Sequence, residues 1–294
     1  MIKYLPFILF WTLGIIWGAN FIYMKWASEL LSEEQAVLIR VLFGFIPIFL
    51  YALYLKVLRF EHLKYSFHFI IMSLLGTSIY YFFYMKGAAL LLSGVAGAIS
   101  GTIPLFTFIL ATIFIKDQKI SLNLILGILV GFSGVILISK PFDTQLFEAN
   151  FEGIIYILLG SFILASSFVY AKRFLSPLNI HFAALTTYQL GFAFIILAIV
   201  TDFTNIENIL SDTHIFYGTI IGLGFLGTGI TTILYYYLIQ IIGPVRASSA
   251  TYIPPAIALF IAYFLVDENI VLLDLIGTIL IFSGVFLINK KKKN

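Results

Sequence analysis

Apolar runs of about 20 residues recur along the whole chain, each long enough to cross a ~30 Å hydrocarbon layer as a helix. The connections between them are short and often polar, with no room for a separate soluble domain. Charged residues are 11% of the 294, too few to cover a water-facing surface. The chain therefore reads as an all-α polytopic membrane protein. Ten spans are predicted, at 5–25, 35–55, 66–87, 93–115, 121–139, 153–172, 181–201, 215–239, 244–265 and 270–289. The first has no small-residue cleavage site and runs into Lys25 and Trp26, so it reads as a retained span.

Lysine and arginine orient the chain. With the N-terminus inside, 13 of the 17 basic residues lie on the cytoplasmic side, among them Lys56, Arg59, Lys64, Lys172, Arg173 and the Lys290–Lys293 tail. The acidic loop residues, such as Glu33, Glu34, Asp202 and Glu207, fall outside. The expectation is an integral plasma (inner) membrane protein with both termini cytoplasmic.

The chain also repeats itself. "GILVGFSGVILIS" at 127–139 returns as "GTILIFSGVFLIN" at 277–289. Laid on 253–288 without a gap, 103–138 is identical at 13 of 36 positions, including Pro104/Pro254, Asp117/Asp267 and both glycines of the shared pattern. Apolar bias produces chance matches of Leu and Ile, but not of Pro, Asp and Gly in register. The first halves align more weakly: "FGF" at 43–45 falls near "LGF" at 190–192, which sets Arg40 near Gln189. The units are 1–145 and 150–294. Five spans per copy is an odd number, so the second copy is inverted, as in many secondary transporters. Duplication for structural economy alone is the blander account.

Several motifs resemble the ten-span EamA-type branch of the drug/metabolite transporter superfamily. "WGANF" matches its tryptophan-glycine motif at Trp17, Gly18, Asn20 and Phe21. Arg40 stands where the family often has an arginine, and Pro104 and Pro254 fall mid-span. Glu268, Gly277 and Gly284 match the pattern of glutamate, glycine nine residues on and glycine seven further; the first copy departs with Gln118 before Gly127 and Gly134. The resemblance implies transport without catalysis, and the family includes amino-acid exporters.

A site is expected at mid-depth between the copies. Proline inside a helix frees a carbonyl, which at that depth is tolerated only beside a cavity or a polar neighbour. Pro104 and Pro254 do this at equivalent positions. "YYFFY" at 80–84 and "YYY" at 235–237 cannot turn every ring to lipid, because successive helical residues differ by ~100°. Tyr81, Tyr84, Tyr188, Tyr236 and Tyr252 are the candidates for lining the path, with Trp17, Asn20 and Gln189. Arg40 is the candidate interior charge, since a lipid-facing guanidinium is costly. Lys25 and Lys86 read as snorkelling side chains. No Asp or Glu is central in any span, which argues against a membrane-embedded proton carrier.

The expected ligand is a small amphipathic metabolite, amino acids first, moved outward by alternating access with no cofactor. A membrane-embedded lipid-modifying enzyme would need clustered nucleophile, acid/base or metal-ligand residues. There is no cysteine, and the four histidines form no ligand pair at helical or finger spacing. A non-transporting structural protein would leave the inverted repeat unexplained. The basic tail suits anionic lipid rather than nucleic acid, and a monomer suffices, although the sequence does not set the oligomeric state.

Overall fold

The computed structural model describes residues 4–91, 93–116, 121–139, 144–257 and 272–289, and among them the regular structure is all helical. In chain order, α1 is Leu5–Ala27 and α2 is Glu33–Tyr54; α3 (Ser66–Ser73) runs through a wide π turn, Leu74–Ser78, into α4 (Ile79–Leu90). Next come α5 (Ser93–Ser100), α6 (Ile103–Phe114), α7 (Leu122–Ser139), α8 (Thr144–Tyr170) and α9 (Phe182–Val200). In the second half α10 (Thr213–Tyr217) enters a long π segment, Gly218–Ile230, that continues as α11 (Thr231–Ile242), followed by α12 (Pro244–Ser248) and α13 (Leu272–Asn289).

Seven stretches are long and apolar enough to cross a membrane, and they correspond to predicted spans one to four and six to eight. Shorter apolar helices, Leu122–Leu137 and Leu275–Ile288, cover the fifth and tenth. The predicted ninth span, 244–265, is described only as far as Ile257. Gln118, Glu268 and the Lys290–Lys293 tail lie outside the described residues. The sixth span's apolar stretch begins at Phe151, close to the predicted 153, while its helix begins earlier, at Thr144, because a helix continues past the point where its residues turn polar.

Local chemistry sets the boundaries. Ser32 and Gln35 form a capping box at the start of α2, and the Asp212 carboxylate caps α10. The fourth span is interrupted at mid-depth, as its proline predicts, but the break falls at Gly101–Thr102 and Pro104 occupies the first turn of α6. There its missing N–H leaves no helical bond unmade.

Hydrogen bonds between distant segments sort the loops onto two ends. At one end the Lys25 ammonium donates to the Ala89 carbonyl at 2.7 Å, and the Gln35 amide donates to the carbonyls of Asp202 and Thr204. At the other, the Arg59 backbone meets Tyr188, and Arg173 donates to the Phe114 carbonyl. Gly14 touches Ile253 and Gly18 touches Ile257, so residues 253–257 run parallel to α1 and the start of α12 lies at the second end. Arg246 there donates to the Ile288 carbonyl. The first described residues of α1 and the last of α13 thus share the end that carries Lys56, Arg59, Lys64, Lys172 and Arg173.

The two FSGV helices pack on each other. A Cβ on Gly127 would lie 2.8 Å from the Gly284 carbonyl oxygen, and one on Gly134 would lie 2.5 Å from that of Gly277. Residue 127 in one copy thus meets the equivalent of 134 in the other, and the reverse, which is the pattern of an antiparallel pair about a two-fold axis. Other contacts repeat across that axis. α4 packs on α8 through Tyr84 against Gly160 and Leu91 against Gly153, while α1 packs on the π segment through Tyr23 against Gly222 and Asn20 against Gly227.

Candidate functional site

A small cavity of ≈ 30 Å³ lies at the seam of the bundle, lined by Trp17, Asn20, Arg40, Tyr81, Tyr84 and Pro254, with Tyr80, Ser100 and Thr251 beside them. A second chamber of ≈ 10 Å³ shares the wall of Trp17, Tyr80, Tyr81 and Leu164 and is closed by Gln189, Thr231, Thr232 and Tyr235. Room on this scale holds one or two water molecules, so neither chamber admits a metabolite in this conformation.

Arg40 is 1% exposed. Its Nε–H donates to Thr228 Oγ1 at 3.1 Å and its Nη2 to the Gly227 carbonyl at 3.4 Å, and its guanidinium carbon sits 3.6 Å from the centre of the Tyr81 ring. Those bonds use two of its five N–H groups. No carboxylate pairs with it among the described residues. The Gly227 carbonyl also accepts from the Asn20 amide at 3.4 Å, which leaves the buried Asn20 Oδ1 without a partner. The Thr228 hydroxyl in turn donates to the Leu223 carbonyl, closing the π turn on itself.

The second copy repeats the arrangement with a neutral side chain. Gln189 on α9 donates from Nε2 to the Gly76 carbonyl at 3.0 Å and to Thr77 Oγ1 at 2.7 Å. Its Oε1 accepts from the Tyr236 hydroxyl. In each copy, then, one polar side chain holds a Gly-Thr step in the widened turn of a crossing helix. A π turn leaves carbonyls out of the regular ladder, and such turns are frequent at functional sites. Sequence reasoning missed Gly76, Thr77, Gly227 and Thr228. The signal was available: Leu-Gly-Thr occurs at 75–77 and again at 226–228.

The candidates divide accordingly. Trp17, Asn20, Arg40, Tyr81, Tyr84 and Pro254 meet in the first chamber, Gln189 lines the second, and Tyr236 stands behind it. Tyr84 is held by Ser161 at 3.0 Å. Pro104 is buried in α6 and lines neither chamber. Tyr188 lies elsewhere: one residue from Gln189 along α9, it is rotated by ~100°, stacks on Phe69 and shares its hydroxyl between the Arg59 backbone and His62 Nδ1. Tyr252 is fully buried against Gly131 and donates to the Ile128 carbonyl, pinning the ninth span to α7. Lys25 does not merely snorkel, since it caps the C-terminus of α4, where a cation suits the helix dipole. Lys86 lies over the Phe82 and Tyr156 rings.

Membrane-spanning helices, a duplicated sequence and a largely apolar seam cavity that holds the buried Arg40 define the class: an integral membrane transporter. The chain belongs to the EamA-like transporter family, which it matches twice, over 5–140 and 151–290. It is 26% identical over 270 residues to the protein described as "Uncharacterized transporter YdfC" of Bacillus subtilis, covering 92% of this chain and 86% of that one. It is 26% identical over 207 residues to "Uncharacterized inner membrane transporter YedA" of Escherichia coli K12, covering 68% and 63%. A solved crystal structure shares the fold over 97% of each chain, with a TM-score of 0.67 at 15% identity.

Proposed function

We propose that this protein is a ten-span secondary transporter that exports small amphipathic carboxylates, amino acids first, across the plasma membrane. The observation that carries the substrate class is Arg40: a fully enclosed cation, unpaired with any described carboxylate, with a planar fork suited to bidentate capture of one. The neighbouring Asn20 Oδ1 is an acceptor in want of a donor and suits an ammonium group. The aromatic wall offers apolar faces with hydroxyl and N–H handles.

The mechanism is alternating access by two inverted five-helix repeats, with no chemistry on the substrate. The exchanged glycine contacts of α7 and α13 support the inversion. The size of the chambers supports a closed state that each repeat opens in turn. Counterflow of labelled amino acids in proteoliposomes tests the proposal. Tyr81→Ala, Tyr84→Ala and Pro254→Ala should each lower exchange at least ~10-fold, whereas Tyr188→Phe, outside both chambers, should match the wild type. Exchange of organic cations, with no amino acid or carboxylate exchanged, sinks the substrate class.

The orientation follows from the shared basic end, which belongs in the cytoplasm. A reporter fused after Asn294 should be active only inside the cell; activity only outside reverses the topology and the direction of export.

A further inference from the structure

We infer that the trough between α6 and α8 is a binding site for one glycerophospholipid with an anionic headgroup, its phosphate at Arg173 and an acyl chain along the trough. The trough encloses ≈ 330 Å³, within the ~300–1,000 Å³ range of small-ligand pockets. Leu75, Leu110, Phe114, Val169 and Phe174 make its walls apolar, and Arg173 closes one end.

The cation is built into place. Arg173 Nη1 donates to the Phe114 carbonyl at 2.9 Å, and its guanidinium lies 5.3 Å from the centre of the Phe174 ring. His68 stacks on the same ring and bonds the Tyr170 hydroxyl at 2.7 Å, fixing the wall beside it. Lys172 precedes Arg173 in the chain and 166–175 carry no acid; Lys116 stands two residues beyond Phe114, with Asp117 next to it. Depth matches a lipid. Arg173 is at the basic end, bonded to the last turn of α6, and Leu75 lies in the π turn inside the bundle. Cations at the headgroup and an apolar slot running inward complement a lipid, not a free phosphate. An occupied trough would brace the turn whose next residue, Gly76, is held by Gln189.

The test is independent of what is transported. The whole protein is released from nanodiscs of equal phosphatidylglycerol and phosphatidylcholine, and retained lipid is counted by native mass spectrometry. One phosphatidylglycerol per chain is expected. Arg173→Gln with Lys172→Gln should cut retention about tenfold. Ser166→Phe keeps every charge and fills the trough, and should cut it as much. If the charge variant fails to fold, Ser166→Phe decides. Equal retention of the two lipids overturns the site, as does undiminished retention in Ser166→Phe. Displacement of the bound lipid by glycerol phosphate at equal concentration would overturn the acyl-chain assignment.

Discussion

Arg40→Gln should lower affinity for the proposed carboxylate substrate roughly 10- to 100-fold while leaving the protein folded. The magnitude is that of a charge-assisted hydrogen bond, about 1.5–3 kcal/mol, at 1.4 kcal/mol per factor of ten. Retention of the fold follows from the second copy. There Gln189, a neutral amide, holds the Gly76-Thr77 step as Arg40 holds Gly227-Thr228. Glutamine at position 40 can therefore keep the turn while removing the charge. Lys25→Gln is the contrast, because Lys25 caps a helix end outside the chambers; it should cost about 0.3–1 kcal/mol of stability and leave affinity alone. Binding measured by thermal shift with unlabelled amino acids, beside counterflow, separates the two effects. Wild-type affinity in Arg40→Gln would remove the guanidinium from the site.

Gly284→Ala should be the most destabilising single-methyl change, at about 1–3 kcal/mol. Its Cβ would lie 2.5 Å from the Gly131 nitrogen and 2.6 Å from the Gly127 carbonyl oxygen. Backbone atoms cannot rotate aside, so α7 and α13 would have to part. Gly134→Ala meets the Gly277 carbonyl at 2.5 Å and should behave alike. Gly94→Ala adds the same methyl where nothing lies within 4 Å; in α5 it should be neutral or stabilising by up to ~1 kcal/mol. Thermal unfolding in detergent reads all three. If Gly284→Ala and Gly94→Ala melt together, the close crossing is not what those glycines are for.

Much of the architecture was legible in the chain. Hydropathy marks spans because entry into the hydrocarbon layer depends on each segment's own composition. The FSGV repeat, read as a duplication, turns out to be the close contact between the copies, since only glycine admits backbones at that distance. Arg40 was legible by cost: a cation amid apolar residues needs a partner, whatever the partner is.

Tertiary structure alone decided which faces meet. Tyr188 and Gln189 are neighbours in sequence, yet one faces the Arg59 loop and the other the seam. Tyr252 was a candidate for lining the path, and its hydroxyl instead bonds the Ile128 carbonyl on α7. Pro104 looked like the middle of one helix and stands in the first turn of another. The partners of Arg40 sit 187 and 188 residues away, in a π turn that hydropathy cannot see. Partition into the membrane is a property of each segment, summed along the chain. The rotation of each helix and the register of its neighbours are set by packing among all of them at once, and those decide which side chains face the cavity.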